Sequence, residues 1–303
     1  MALAFIAFGN TAFAQSITKT AQDANGYTYT YVEGDPMDVK IYTLENGLSV
    51  YLAENHDEPR IQTLIPVRAG SKFDPSDNTG LAHYLEHMMF KGTDILGTSN
   101  WEEEKVLLEQ ISNLYEAHKA ETDPAKKKAI YAQIDSVSNV ASGFAIPNEY
   151  DKIISQIGGK STNAYTSFEE TVYMNNIPAN ELERWVKLES ERFSQLVLRL
   201  FHTELEAVYE EFNIGQDNDA RKQYFALLDG LFPSHQYGQQ STIGTAEHLK
   251  NPSMEAIHNY WDTYYRANNM AVCLSGDFKT EEAIKIIADN FGSLPSNPNI
   301  PTY

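Results

Sequence analysis

The sequence predicts an α+β fold: a mixed, largely antiparallel sheet with helices packed mainly on one face, plus an inserted helical hairpin. Three observations predict it. Strand-like and helix-like patterns mix along the chain without strict βαβ alternation. Asn46-Gly47 separates two alternating, β-rich runs, a strong hairpin signal. Residues 100–146 are charged and carry apolar side chains at helical spacing. The 303 residues are 42% hydrophobic and 12% aromatic, enough to bury a sizeable core.

Residues 15–37 are polar, with Gly26, Gly34 and Pro36, and read as a lead-in linker. Val39 to Leu44 and Leu48 to Ala53 form the hairpin, and Thr63 to Ala69 suggests a third strand ended by Gly70. Thr79-Gly80 opens a helix that runs to about Phe90. In the 100–146 segment Trp101, Leu108, Ile111, Leu114 and Tyr115 mark one helix, and Pro124 starts another. Gly158-Gly159 breaks the pattern. Asn163 to Thr166 and Thr171 to Asn176 read as strands. Ala179 to Val197 is expected to be helical, with Trp185, Leu188 and Leu196 as its core stripe. A further helix spans Thr203 to Leu228, its continuity weakened by Gly215 and Asp217-Asn218-Asp219. Ser253 to Tyr265 reads as helix, Met270 to Leu274 as strand and Thr280 to Phe291 as a closing helix. Residues 293–303 are rich in Pro and Asn and read as a linker.

The net charge of −19 argues against nucleic acid, whose phosphates need Lys/Arg clusters, and against anionic membrane surfaces. Cys273 is the single cysteine, so no internal disulfide and no thiolate zinc site can form. The apolar run Met1 to Gly9, followed by Ala12-Phe13-Ala14 before Gln15, resembles the end of a secretory signal peptide, although the basic n-region is missing. The expectation is a signal peptide over 1–14 and an exported chain, in a bacterial periplasm or secreted. The run is too short for a permanent membrane anchor.

His83-Tyr84-Leu85-Glu86-His87 is the richest stretch chemically. It reads HxxEH, an inverted zinc motif. On a helix, His83 and His87 project from one face one turn apart, so two imidazoles can grip one cation. Glu86 shares that face and can take a proton from water. A satisfied pair of core histidines is the bland alternative, but two His and one Glu on one buried face are costly without a partner. A catalytic zinc needs a third protein ligand, and without a nearby Cys it must be His, Asp or Glu. The best segment is Glu204 to Glu211. On a helix Glu204, Val208 and Glu211 share a face, while Glu206 and Glu210 lie on another.

With these residues the chain resembles the pitrilysin/insulinase family of inverted-motif zinc metallopeptidases. The matching passages occur in order. They are Gly80 through Thr93, Gly159 through Thr166, Thr171-Val172-Tyr173, Leu188 through Arg192, Glu204 through Glu211, His235 through Gly238, and Ser275-Gly276-Asp277. The resemblance implies a catalytic domain over 38–292, with 100–146 as a helical insertion. It implies one Zn2+ per chain held by His83, His87 and Glu211, with Glu210 as the alternative third ligand. Glu86 would be the general base. Glu204 would orient a ligand histidine, a plain surface glutamate being its alternative. Asn163 and Ala164 would lie on an edge strand that pairs with the substrate backbone. Arg192 is expected to make a structural salt bridge.

The resemblance also implies peptide substrates and a second homologous domain or subunit that closes a chamber. Departures concern size: 124 residues separate His87 from Glu211, the excess falling in the 100–146 hairpin. The expected activity is zinc-dependent endopeptidase. The alternative is a non-catalytic peptide-binding or partner subunit, a role in which the HxxEH residues are typically lost.

Overall fold

A computed structural model describes residues 17–301; the signal-peptide expectation over 1–14 lies outside the described residues. The fold is α+β. Among the described residues eight strands form one open, mostly antiparallel sheet, and the helices cover mainly one face. The strands are β1 (Thr18–Gln22), β2 (Thr28–Val32), β3 (Lys40–Thr43), β4 (Ser49–Glu54), β5 (Arg60–Val67), β6 (Lys160–Thr166), β7 (Thr171–Pro178) and β8 (Ala271–Gly276). Their order across the sheet is β1-β2-β3-β4-β8-β5-β7-β6. Among the described strands only β4 and β8 pair in parallel, Val50 facing Val272 and Leu52 facing Leu274.

Alternation decides which face is covered. In β5 Ile61, Thr63, Ile65 and Val67 are buried, while Gln62 is exposed and Leu64 and Pro66 are half-buried. Tyr173, Asn175 and Ile177 of β7 and Val272 and Leu274 of β8 continue the buried face. The period-2 rule makes this one surface. The predicted β3–β4 hairpin is present. Gly47 has φ +87°, and a Cβ there would stand 2.6 Å from the Cβ of Asn268, so glycine is required on two counts.

The helices, in order, are α1 (Leu81–Met88), α2 (Trp101–Ala120), α3 (Pro124–Ser142), α4 (Glu149–Gln156), α5 (Leu182–Arg192), α6 (Phe201–Gln216), α7 (Asp219–Leu231), α8 (Gln236–Gln239), α9 (Ala246–Lys250), α10 (Met254–Tyr264) and α11 (Thr280–Phe291). The predicted insertion is the α2–α3 hairpin. Asp123 caps α3 by accepting from the N–H groups of Ala125 and Lys126, with Pro124 in the first turn. α5 and α11 pack on the sheet through Trp185, Val186, Ile284, Ile287 and Phe291, all nearly inaccessible to solvent.

Four stretches depart from the sequence reading. Residues 15–37, expected as a linker, contain the antiparallel pair β1–β2, whose mostly exposed β1 gives little apolar alternation to read. The expected helix over 203–228 is two helices, α6 and α7, because the Asn218 side chain accepts from the Arg221 N–H and restarts the turn. The expected helix over 179–197 shortens to α5, entered through a 3₁₀ turn over Ala179–Glu181. Residues 293–301, read as a linker, lie against the body. There Ala267 donates to the Pro295 carbonyl at 2.9 Å and Asn297 to the Thr263 carbonyl at 3.1 Å.

Candidate metal centre

α1 carries HxxEH and sits over β6 and β7, against α6 and α10. Its start is fixed by Asp74. That buried carboxylate accepts from the N–H of Gly80 at 2.8 Å and of Ala82 at 2.9 Å, satisfying donors that a helix N-terminus leaves open. Leu81, Ala82, Leu85 and Met88 anchor the helix in the core, turning His83 and His87 toward α6.

The two rings lie 4.7 Å apart, edge to face. Glu211 of α6 meets both: its carboxylate oxygens stand 3.5 Å from His83 Nε2 and 3.7 Å from His87 Nε2. Ligand atoms of the three residues all lie within 4.8 Å of one another. Donors around a tetrahedral zinc are about 3.4 Å apart, so the set fits such an ion. Glu210 is elsewhere: it is exposed and lines a different cleft with Glu206, on the other side of α6.

Glu204, one turn into α6, accepts from or faces His87 Nδ1 at 2.9 Å, and Lys91 Nζ approaches its other oxygen at 2.6 Å. That contact leaves His87 Nε2 free to point at Glu211. Burial pulls the His87 pKa down, but the Glu204 hydrogen bond and the charges of Glu211, Glu204 and Glu86 leave it raised. Burial, then the neighbouring His87 and Arg221 charges, push His83 down to about 4, so it is a neutral imidazole with a lone pair to give. Burial would raise Glu204, yet its bonds to His87 and Lys91 hold it below the ordinary carboxylate range.

Glu86 is 8% exposed, with Thr166 Oγ1 donating to it at 2.6 Å. Burial raises its pKa, the Thr166 bond and His87 pull it down, and Glu211 pushes it up; the net shift is upward. An upward shift brings a carboxylate closer to the range useful for accepting a proton near neutrality.

These groups open into a cleft of about 440 Å³, whose wall includes Phe90, Asp151, Thr162, Asn163 and Ala164. Asn163 and Ala164 lie on β6, which pairs only with β7 among the described residues. The chain thus brings the predicted residues to one cleft beside a free strand edge. Arg192 is buried and paired with Glu189, its guanidinium enclosed by Phe90, Tyr150, Tyr173 and Phe193. Sequence reasoning gave no role to Lys91 or Thr166. Both sit in quoted motifs, but only the tertiary approach of α6 and β6 to α1 reveals their contacts.

The family profile described as insulinase (peptidase family M16) matches residues 49–132, which include HxxEH. A second profile, the peptidase M16 inactive domain, matches 253–303. The probable zinc protease PqqL of Escherichia coli is 25% identical over 86% of this chain and 24% of its own length. Insulin-degrading enzyme of Bos taurus is 25% identical over 85% of this chain and 21% of its own. The crystal structure of a protease from Helicobacter pylori aligns with a TM-score of 0.67 at 24% identity, covering 87% of this chain and 52% of that one. This chain therefore spans about a fifth to a half of the proteins it resembles. The two profiles and these relatives support the resemblance of this chain to the pitrilysin/insulinase family of peptidases.

Proposed function

We propose that this chain is the metal-bearing domain of an exported zinc endopeptidase that hydrolyses peptides or short unfolded proteins. One observation carries the reading: His83, His87 and Glu211 converge beside a buried Glu86 in a cleft bordered by a free strand edge. Zinc bound by these three residues supplies Lewis acidity toward the scissile carbonyl and lowers the pKa of a water toward 7.

The chain's own groups do the rest. The free edge of β6 at Asn163 and Ala164 holds an extended peptide by main-chain hydrogen bonds. Glu86 accepts the proton of the attacking water and delivers it to the leaving amine. Thr166 keeps the Glu86 carboxylate oriented by donating to Oε2. Glu204 fixes the His87 ring through Nδ1, with Lys91 neutralising its other oxygen.

A non-catalytic partner subunit is the second reading, favoured by the inactive-domain match over 253–303. The HxxEH residues and Glu211 all lie outside that match, and the insulinase match contains the motif. Relatives are longer than this chain, and one solved structure is titled the first half of the periplasmic protease PqqL. A second homologous domain or subunit facing the cleft is part of the proposal, as is export to a periplasm-like compartment. No described helix is long and apolar enough to cross a membrane.

The test is Glu86→Gln. The variant should bind one zinc per chain by elemental analysis and lose at least about 100-fold in turnover of a quenched-fluorescence peptide. Wild-type turnover by the purified variant would sink the assignment. Absence of zinc from the wild type would favour the partner reading.

A further inference from the structure

Next to the metal centre lies a cleft of about 340 Å³ between the end of α6, the start of α7 and residues 238–245. That last segment packs on the entry of α1: a Cβ at Gly80 would stand 2.6 Å from the Ile243 carbonyl oxygen. The cleft thus adjoins the helix bearing His83. Its lining includes the cations Arg221 and Lys222 and the neutral donors Gln216, Gln239 and Thr245, and no carboxylate lines it.

Arg221 is the unusual member. It is half-buried, and its guanidinium has no ion pair or side-chain hydrogen bond among the described residues. Lys222 beside it pairs with Asp219 at 3.2 Å, and neither Asp217 nor Asp219 pairs with Arg221. In a chain with 42 acidic and 23 basic side chains, a sheltered cation without an acid is a departure from the rest of the surface. The guanidinium is held in place by neutral contacts. It lies 5.7 Å from the centre of the Phe225 ring. It also lies over Gly215, where a Cβ would come within 3.1 Å of its Nη1. Glycine in a helix is unfavourable relative to alanine, so Gly215 costs α6 some stability and gives Arg221 its position.

We infer that Arg221 forms a carboxylate-binding subsite beside the metal centre, which selects peptides carrying a negative group at one fixed distance from the bond cleaved. The inference rests on the peptidase reading. The carboxylate is either an Asp or Glu side chain or the free C-terminus of the peptide, since a guanidinium takes both in the same two-pronged way.

The experiment uses an end-capped neutral dodecapeptide of Ala, Gln, Leu and Ser, a series with Glu in place of Gln at each position, and one peptide with its C-terminus uncapped. The full chain loaded with zinc should cleave one member of the Glu series, or the uncapped peptide, about tenfold better in kcat/KM than the neutral parent. Arg221→Gln should bring that ratio to about one, and Arg221→Lys should restore part of it. Gly215→Ala, which keeps the charge but displaces it, should lower the ratio too.

Which member is preferred distinguishes a side chain from a C-terminus. A wild-type ratio near one at every position overturns the subsite, as does a ratio that survives Arg221→Gln. If the wild type cleaves no peptide, the reading of this chain as a peptidase without its second domain or subunit fails. Fluorescence anisotropy of the same labelled peptides then decides the subsite. A binding preference for the carboxylate lost in Arg221→Gln supports it, and equal affinities overturn it.

Discussion

At the scale of single residues, Glu204 shows how one side chain can set the state of a site it does not complete. It holds His87 by Nδ1 and is itself held by Lys91. Glu204→Gln should weaken zinc binding by about 10–100-fold, read by competition with a chelator; unchanged affinity would make Glu204 a bystander. A second residue-scale prediction concerns His56, which bridges Glu54 at 2.9 Å and Asp277 at 2.6 Å. The Asp277 and Glu54 hydrogen bonds raise its pKa. A raised histidine pKa contributes stability that is fully present below the ordinary value near 6.5 and lost as pH rises through the folded-state value. His56→Gln should therefore lower the thermal midpoint at pH 5.5 and leave it unchanged at pH 9, the gap shrinking in salt because the site is exposed. Legibility at this scale was uneven for a physical reason. His83, Glu86 and His87 fall within two turns of one helix, so local periodicity alone puts them on one face. Thr166 and Arg221 acquire meaning only from distant segments folding against α1, which no local spacing encodes.

At the scale of elements, the orientation of α6 decides whether Glu204 and Glu211 reach α1. Arg199, two residues before its start, is 1% exposed and pairs with Glu104 of α2 through Nε at 2.7 Å and Nη2 at 2.9 Å. It also donates to the carbonyls of Lys91, Thr93 and Leu96 in the turn leaving α1. The next residue, Leu200, has φ +57°, a left-handed conformation that costs a non-glycine residue about 1–2 kcal/mol. The fivefold grip on Arg199 holds the chain in that turn and aims α6. Glu104→Ala leaves a buried guanidinium without its acid and should destabilise the protein by about 3–5 kcal/mol in urea melts. A loss below about 1 kcal/mol would mean that the three carbonyls suffice. The inserted hairpin is thus fastened to the turn that follows α1, beside the candidate metal site. The sequence revealed α2 and α3 through periodicity and Pro124, but not this link, because an isolated Arg and an isolated Glu carry no mark of each other 95 positions apart. The α6–α7 break was missed for the complementary reason: helical spacing resumes in phase after Asn218, and a one-residue cap hardly disturbs the pattern.

For the whole molecule, the sheet order predicts a gradient of stability. β5, β7 and β8 are paired on both sides and carry Ile61, Thr63, Ile65, Asn175 and Val272, all nearly inaccessible. β1 and β2 form an outer ribbon with little buried surface, and α7 leaves Tyr224, Leu227 and Leu231 exposed. Amide exchange should be slowest in β5 and β8 and fastest in β1, β2 and α7. Equal protection of β1 and β8 would contradict that gradient. The composition and alternation made the fold class legible, but strand order was not, since periodicity says which side of a strand is buried and nothing about its neighbours.

The place of β8 has a kinetic meaning. β4 and β5 are joined by residues 55–59, yet they are not neighbours; β8, over 200 residues later, lies between them. His83, Glu86, His87 and Glu211 are all made before β8 leaves the ribosome. Until then the two open edges can reach each other across a short loop and close into the wrong hairpin. The chain must keep a slot vacant for its own late strand, and such non-local pairing is slow. Folding speed should accordingly respond to changes in 55–59 that stiffen that loop against closing.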